Sequence, residues 1–357
     1  NEQKCSSCHI GYEWEQIESN GEYNFTNAEN VDCLVCHADP DLYNKGDNGN
    51  PADDVDLVAA AKSVAMPTRE NCGECHFYGG GGNNFKHGDL DKSLVNPSEE
   101  LDVHMGGQDF SCTTCHQTVD HQILGRSLAN NYLIDDEEVV QCTDCHGEAP
   151  HEDERINAHL DSISCQTCHI PEIAVEYPTL MVWDWSTAGQ DLPEDPTSYS
   201  KAKGSFVFEK NVVPSYDWFN GDNETRYLMG DKIDPNQPTY ILKPDGEIKD
   251  PESKIYPFKI SHSMQPYDTT YQYLLQPITA GEGGYWTNLD WDKAFRLAEE
   301  VTGLIYSGNY DFAETITYFP TTHMVQPKEN ALQCLDCHTE NGRLDWEMLG
   351  YPGDPME

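Results

Sequence analysis

The 14 cysteines of this 357-residue chain fall into seven copies of one pentad, Cys-x-x-Cys-His. The copies run Cys5–His9, Cys33–His37, Cys72–His76, Cys112–His116, Cys142–His146, Cys165–His169 and Cys334–His338. Two thiols, two spacers and an imidazole form the attachment signature of c-type haem. The thiols make thioethers with the porphyrin vinyl groups, and the adjacent histidine binds the iron as its proximal ligand. The expected attachment residues are therefore Cys5, Cys8, Cys33, Cys36, Cys72, Cys75, Cys112, Cys115, Cys142, Cys145, Cys165, Cys168, Cys334 and Cys337. The expected proximal ligands are His9, His37, His76, His116, His146, His169 and His338. Zinc would need four ligands per site and would not explain a histidine after every second cysteine. A thioredoxin-like redox pair would occur once, beside a βαβ pattern.

Seven of the 14 histidines lie outside the pentads: His87, His104, His121, His151, His159, His262 and His323. Their number matches the sixth positions of seven irons, and five of them lie between pentads. They are the expected distal ligands, with His262 the least secure because it sits deepest in the pentad-free segment. Two neutral imidazoles hold iron low-spin with little change on redox cycling, which suits electron transfer more than bond breaking. Methionine is the competing sixth ligand and would raise the potential. Met105, Met264 and Met324 lie near histidines, and we read them as packing residues. The count does not pair histidines with irons, and a neighbouring subunit could supply a ligand.

Only short elements are needed to position these groups. The first six pentads begin 23 to 40 residues apart, too tight for separate domains. Between them the text is turn-rich, with Asp39-Pro40, Asn48-Gly-Asn-Pro51, Gly79–Gly82 and Asn96-Pro97. A short helix is expected over Asp53–Ala65 and no strands in this part. Residues 171–330 differ. Met181–Trp185, Ser205–Phe208 and Lys254–Ile260 read as extended. Tyr240–Leu242 followed by Pro244–Ile248 reads as a hairpin turning on Asp245-Gly246. Asp290–Leu304 has helical spacing, with Trp291, Ala294, Phe295, Ala298 and Val301 on one face. The expected fold is a mainly α and irregular multihaem cytochrome c, short helices and loops around a haem core, with a small β-containing insertion. The expected organisation is a six-haem region over 1–170, a haem-free insertion over 171–330 packed on that core, and a seventh-haem segment over 331–357.

Hydrophobic residues make up 37% of the chain and the formal charge is −42. Such acidity argues against nucleic acid, whose phosphates need clustered Lys and Arg. It suits basic redox partners or cationic surfaces. Two readings of the carboxylates stand: a solvated surface, or Ca²⁺ held at haem edges or between subunits. No run of 18 apolar residues exists to span a membrane. No signal peptide is present, and a leader removed or left out of this numbering is expected. Haem is attached to such motifs outside the cytoplasm, so a periplasmic, cell-surface or extracellular location follows.

Longer stretches carry a more specific likeness. They include Cys5-Ser-Ser-Cys-His9-Ile-Gly-Tyr-Glu-Trp14, Asp32-Cys-Leu-Val-Cys-His37, Cys72-Gly-Glu-Cys-His76-Phe-Tyr-Gly-Gly-Gly-Gly82 and Lys86-His87-Gly88-Asp89. Further on come Asp102-Val-His104-Met, Ser164-Cys-Gln-Thr-Cys-His169-Ile-Pro171, Trp183-Asp-Trp-Ser-Thr-Ala-Gly189, Lys254-Ile-Tyr-Pro-Phe258, Gln265-Pro-Tyr-Asp268, His323-Met-Val and Gly342-Arg-Leu-Asp-Trp346. With these, nearly the whole chain resembles the octahaem tetrathionate reductase family of c-type cytochromes. The resemblance implies one catalytic haem, at Cys5–His9, whose distal ligand is a lysine, here Lys86. On residues alone Lys86 is one of five lysines in 1–170, after a glycine run that lets backbone approach a ligand. It also reads as a surface cation near an acidic wall. To bind iron it would have to be neutral. The family has eight haems, and its first precedes the motif matching Cys5. The chain is expected to be a truncated or processed octahaem protein, or one from a lineage without that haem.

Two functions follow. One is an electron conduit of seven covalently held haems, serving other redox proteins or copies of itself, as oligomer or filament. The other is a respiratory reductase of a small sulfur or nitrogen species (tetrathionate, nitrite or hydroxylamine) at the His9 haem.

Overall fold

The structure is a computed structural model and describes residues 10–12, 27–46, 49–79, 81–125, 139–221 and 225–356. The first pentad, with Cys5, Cys8 and His9, lies outside the described residues.

Each described pentad winds into about one helical turn. These turns are Cys33–His37, the end of helix Arg69–His76, Cys112–Cys115, Cys142–His146, Cys165–His169 and Cys334–Cys337. A turn brings residues three and four apart onto one face, so two sulfurs and an imidazole point the same way. Such short helices cannot stand by propensity alone, and polar residues before the first cysteine support them. Asp32 accepts from Leu34 N at 3.0 Å. Thr68 and Asn71 cap helix Arg69–His76 reciprocally. Asp144 and Asp336 reach back to Gln141 N and Gln333 N, each at 2.7 Å.

The helix expected over Asp53–Ala65 is shorter, Leu57–Lys62, because Asp56 caps it by accepting from Val58 N and Ala59 N. A hairpin pairs β1 (Thr118–Val119) with β2 (Gln122–Ile123), where no strand was expected. Its turn residues Asp120 and His121 both have positive φ, 50° and 65°. That is the geometry of a type I′ turn, but without the Asn-Gly signature that would announce it.

The second half is organised by a mixed sheet larger than the small insertion expected. Its strands are β3 (Thr179–Asp184), β4 (Tyr199–Ser200), β5 (Gly204–Glu209), β6 (Ser215–Phe219), β7 (Thr239–Leu242), β8 (Lys254–Asp268), β9 (Tyr273–Leu274) and β10 (Tyr310–Pro320). The order is β4-β5-β3-β8-β10-β7, with β6 and β9 also paired to β8. The extended stretch expected at Lys254–Ile260 is thus the start of a 15-residue central strand. The hairpin expected on Asp245-Gly246 is absent. Tyr240 and its neighbours instead join β10 in parallel. Asp245 accepts from Thr225 N and Oγ1 at 2.8 and 2.7 Å, and Gly246 lies against the Trp218–Phe219 backbone, where a Cβ would sit 2.7 Å from the Trp218 carbonyl carbon.

The expected helix is Trp291–Thr302, capped by Asp290 and closed by Gly303 at φ 73°. Trp291, Ala294 and Phe295 are buried with Tyr285, Tyr273 and Tyr306, and Ala298 is buried too, but Val301 is 74% exposed and lies off that face. A second cluster joins the sheet to the pentads: Ile163, Tyr216, Trp218 and Ile255 pack with Cys337, Leu344, Trp346 and Leu349.

Candidate functional site

Five pentad histidines each face one histidine from outside the pentads. The ring centroids are 6.3 Å apart for His37 and His121, 6.0 Å for His146 and His104, and 6.2 Å for His116 and His323. They are 6.0 Å apart for His169 and His151 and 6.2 Å for His338 and His159. Every one of these pairs joins a pentad imidazole to a non-pentad imidazole, over a spread of a few tenths of an ångström. Interplanar angles meanwhile run from 4° to 74°, so the distance is shared and the stacking geometry is not. Imidazole nitrogen binds a metal such as zinc at about 2.0 Å, and a similar bond on each side of one iron sets the ring centroids about 6.2 Å apart. The residues therefore fit an iron held between two imidazoles.

The second ring nitrogens fit as well. A metal-ligating imidazole usually donates its other N–H to a carbonyl or carboxylate, which fixes tautomer and ring orientation. His37 Nδ1 donates to Ala65 O at 2.8 Å, His116 Nδ1 to Leu124 O at 2.9 Å and His159 Nδ1 to Arg155 O at 2.7 Å. His338 Nδ1 lies 2.6 Å from Asp354 Oδ1, and Trp346 stacks on its ring at 5.2 Å. His323 Nδ1 lies 3.3 Å from buried Asp89 Oδ2, which also accepts from Thr322 N and His323 N. Burial disfavours charge on His323, yet Asp89, helped by Asp102 and Cys112, outweighs it and raises the imidazole's pKa.

Local devices place the partners. His104 sits in a π-helical turn, Val103–Gly107, a form that recurs at functional positions. Asp102 accepts from His104 N and Met105 N, while its other oxygen accepts from Met324 N. Arg69 donates to Met105 O and Phe110 O, so the third pentad's helix holds this turn. Asn157 bonds both backbone groups of His151 from the helix, Glu154–His159, that ends in His159. The β1–β2 hairpin serves two pentads: Leu124 fixes His116, and His121 at the tip faces His37. Met324 is fully buried with Phe77, Leu94 and Leu101, as expected of a packing residue.

Consecutive pentads are also neighbours. The side chain of Cys72 lies beside that of Cys112, and that of Cys142 beside that of Cys165. Cys36 is likewise near Cys72, Cys115 near Cys145, and Cys168 near Cys337. The 12 described cysteines form no disulfide. Among the described residues no group of three His, Cys, Asp or Glu side chains is placed to hold a free metal ion such as Ca²⁺. Nor is any helix among them long and apolar enough to cross a membrane.

The remaining residues behave differently. Among the described residues, the rings of His76, His87 and His262 pair with no other histidine. His262 is exposed on β8 and its Nδ1 lies 3.1 Å from Glu314 Oε1. His87 lies 5.6 Å from the Phe319 ring, and burial lowers its pKa to about 4. Lys86 is exposed, with its ammonium 5.9 Å from the same ring and its stem against Gly79, where a Cβ would meet Lys86 Cβ at 2.8 Å. A third basic group, not foreseen from the sequence, completes this cluster. Lys259 on β8 is 1% exposed and its ammonium lies 5.3 Å from the Phe319 ring. Burial pulls its pKa down to about 7, partly offset by Asp89. Its register opposite Phe319 could be read only once the strand pairing was known.

Comparison with known proteins fits this arrangement. Residues 180–341 match the family "Cytochrome c bacterial", and residues 97–173 match "Cytochrome c7 and related cytochrome c". An uncharacterized protein of Archaeoglobus fulgidus is 33% identical over 146 residues, 35% of this chain; the match spans 47%, about half, of that relative's length. The crystal structure of octahaem cytochrome c from Shewanella oneidensis superposes with a TM-score of 0.91 at 44% identity, over 100% of this chain and 82% of that one. The chain belongs with that protein to the multihaem c-type cytochromes, whose cofactor is covalently bound haem c.

Proposed function

We propose that the chain is an extracytoplasmic electron carrier holding seven haems c, with five irons each between two imidazoles. Bound haem c supplies the one-electron chemistry. The chain's part is to fix ligands and spacing. The pairs would be His37 with His121, His146 with His104, His116 with His323, His169 with His151, and His338 with His159. The observation that carries this reading is the common separation of those five ring pairs. Contact between successive pentads supports a continuous path from Cys33–His37 to Cys334–His338. Rigid ligand placement suits electron transfer, because the first shell need not reorganise with redox state. Redox partners with basic surfaces fit the charge of −42, and self-association into oligomers or filaments belongs to the same proposal.

The test is to count covalent haems by intact mass and to record the low-spin spectra of the oxidised protein. Seven haems with at least five bis-imidazole signals are expected. Mainly high-spin haem would sink the reading.

A second reading is supported by the cluster at Phe319. In a chain this acidic, Lys86, His87 and Lys259 form a local concentration of basic groups beside a glycine-rich loop. That placement suits a distal lysine on the His9 haem and the reduction of a small anion such as tetrathionate or nitrite. The dithionite-reduced protein should then be reoxidised by one of these species, and Lys86→Leu should slow that step. Equal reoxidation rates in the two proteins would remove this reading.

A further inference from the structure

We propose that Lys259 is a positioning residue for the Lys86–His87 loop: its ammonium, delivered from the central strand of the sheet, fixes the backbone from which both side chains project. The inference rests on the reading that this loop supplies distal ligands.

Lys259 Nζ donates to Phe85 O at 2.7 Å and to Lys86 O at 2.9 Å. Those two carbonyls immediately precede the two candidate ligands. Lys259 reaches them from β8, where it sits opposite Phe319 in the β8–β10 ladder. The long stem has room because residue 88 is glycine, at φ 86°: a Cβ there would lie 3.0 Å from Ile173 Cδ1 and 3.4 Å from Lys259 Cδ.

The loop is held from outside throughout its length. Asn84 donates to Tyr177 O and its own carbonyl accepts from Thr179 Oγ1. Gly88 O accepts from Ala174 N at 2.7 Å. Asp89 accepts from Thr322 N and His323 N. Between Asn84 and Gly88, Lys259 provides the observed hydrogen bonds to the backbone carbonyls.

A buried ammonium is costly to desolvate, and an apolar side chain of similar length would fill the space without that cost. What only the ammonium adds is a set of donors, and two of them are used on this loop. Removing it leaves two carbonyls without this partner and lets the loop re-aim Lys86 and His87. Removing a group that orients a metal's ligands typically costs about 10–100-fold in metal affinity or activity, and a comparable factor is expected at an iron opened this way.

The experiment uses holoprotein carrying Lys259→Met, compared with Lys86→Leu and His87→Leu. Cyanide binding and the low-temperature paramagnetic spectra are read haem by haem. The expected result is that one or two haems lose part of their native ligand signature and bind cyanide at least about tenfold more tightly. The five ring-paired haems should keep their signals and so report an intact fold. An unchanged spectrum and unchanged cyanide affinity overturn the inference. If neither Lys86→Leu nor His87→Leu alters any haem, the ligand reading itself has failed. If either does and Lys259→Met does not, only the positioning role has failed. Should Lys259→Met not accumulate with its haems, Lys259→Gln, which keeps an amide donor on a shorter stem, is read by the same two outcomes.

Discussion

Residues 27–169 and residues 179–320 hold their side chains in different ways. In the first region single groups do the placing: Ala65 O for His37, Asn157 for His151, Asp102 and Arg69 for the turn that carries His104. In the second, a ladder runs without interruption from Tyr310↔Asp268 to Pro320↔Phe258, and buried aromatics pack beside it. A ladder shares load among many bonds, whereas a loop held by one carbonyl depends on that carbonyl and on whatever its histidine binds. The first region should therefore answer to its ligands and the second to its packing. The Phe319 cluster is where one meets the other.

The largest expected effect is in the first region. Changing Cys165 and Cys168 together to serine should remove one haem by mass, broaden the unfolding transition and lower the yield of holoprotein severalfold. His169 and His151 would lose the group between them, and the neighbouring pentad at Cys142 would lose its packing partner. An unchanged haem count would break the comparison at its base.

Next comes the packing of the second region. Phe295 is 1% exposed in the cluster with Trp291 and Tyr306. Phe295→Ala should cost about 3–5 kcal/mol of unfolding free energy, read by denaturant titration. The haem count and ligand signals should stay as in the parent. A shift in those signals would show that the two regions do not respond separately.

These differences also decide what could be read from the sequence. The pentads were legible because covalent chemistry fixes both residue type and spacing. The helix Trp291–Thr302 was legible because its buried positions recur at helical intervals and Asp290 and Gly303 mark its ends. The β1–β2 hairpin was not, because Asp120 and His121 take positive φ without glycine. The Asp245-Gly246 turn misled for the opposite reason. Its signature is sound locally, but β10 offered Tyr240 a longer-range edge, and tertiary pairing overrode it. Five of the seven expected histidines face a pentad imidazole, and which faces which could not be read, since pairing depends on loops without periodicity. Lys259 was invisible because a lysine in a strand looks like a surface residue until its register is known.

A smaller effect tests whether the hairpin exists for its ligand. A non-glycine residue in the left-handed region costs about 1–3 kcal/mol, so His121 at φ 65° stores strain that a ligand bond would offset. His121→Gly should relieve that strain and leave overall stability within about 1 kcal/mol of the parent. It should convert one bis-imidazole signal, the one belonging to His37, to a high-spin form. Retention of all low-spin signals would separate His121 from the iron.

The smallest effect is expected at His262, and it is the sharpest check on how the histidines were sorted. Its ring is exposed on β8, and its Nδ1 faces Glu314 Oε1 at 3.1 Å, with both side chains 46% exposed. A side-chain contact of that exposure contributes at most about 1 kcal/mol. The five ring-paired histidines share a separation of 6.0–6.3 Å from a pentad imidazole, and His262 has no such partner among the described residues. His262→Ala should therefore change stability by about 0.5 kcal/mol or less and leave every haem signal in place at low protein concentration. The experiment is repeated at high concentration because β8 presents this imidazole to the outside. A low-spin signal that grows with concentration in the parent and is missing in His262→Ala would assign the residue to an iron of a second copy. A signal lost at all concentrations would assign it to an iron of its own chain, and the division between a ligand-governed region and a packing-governed sheet would have to be redrawn through β8.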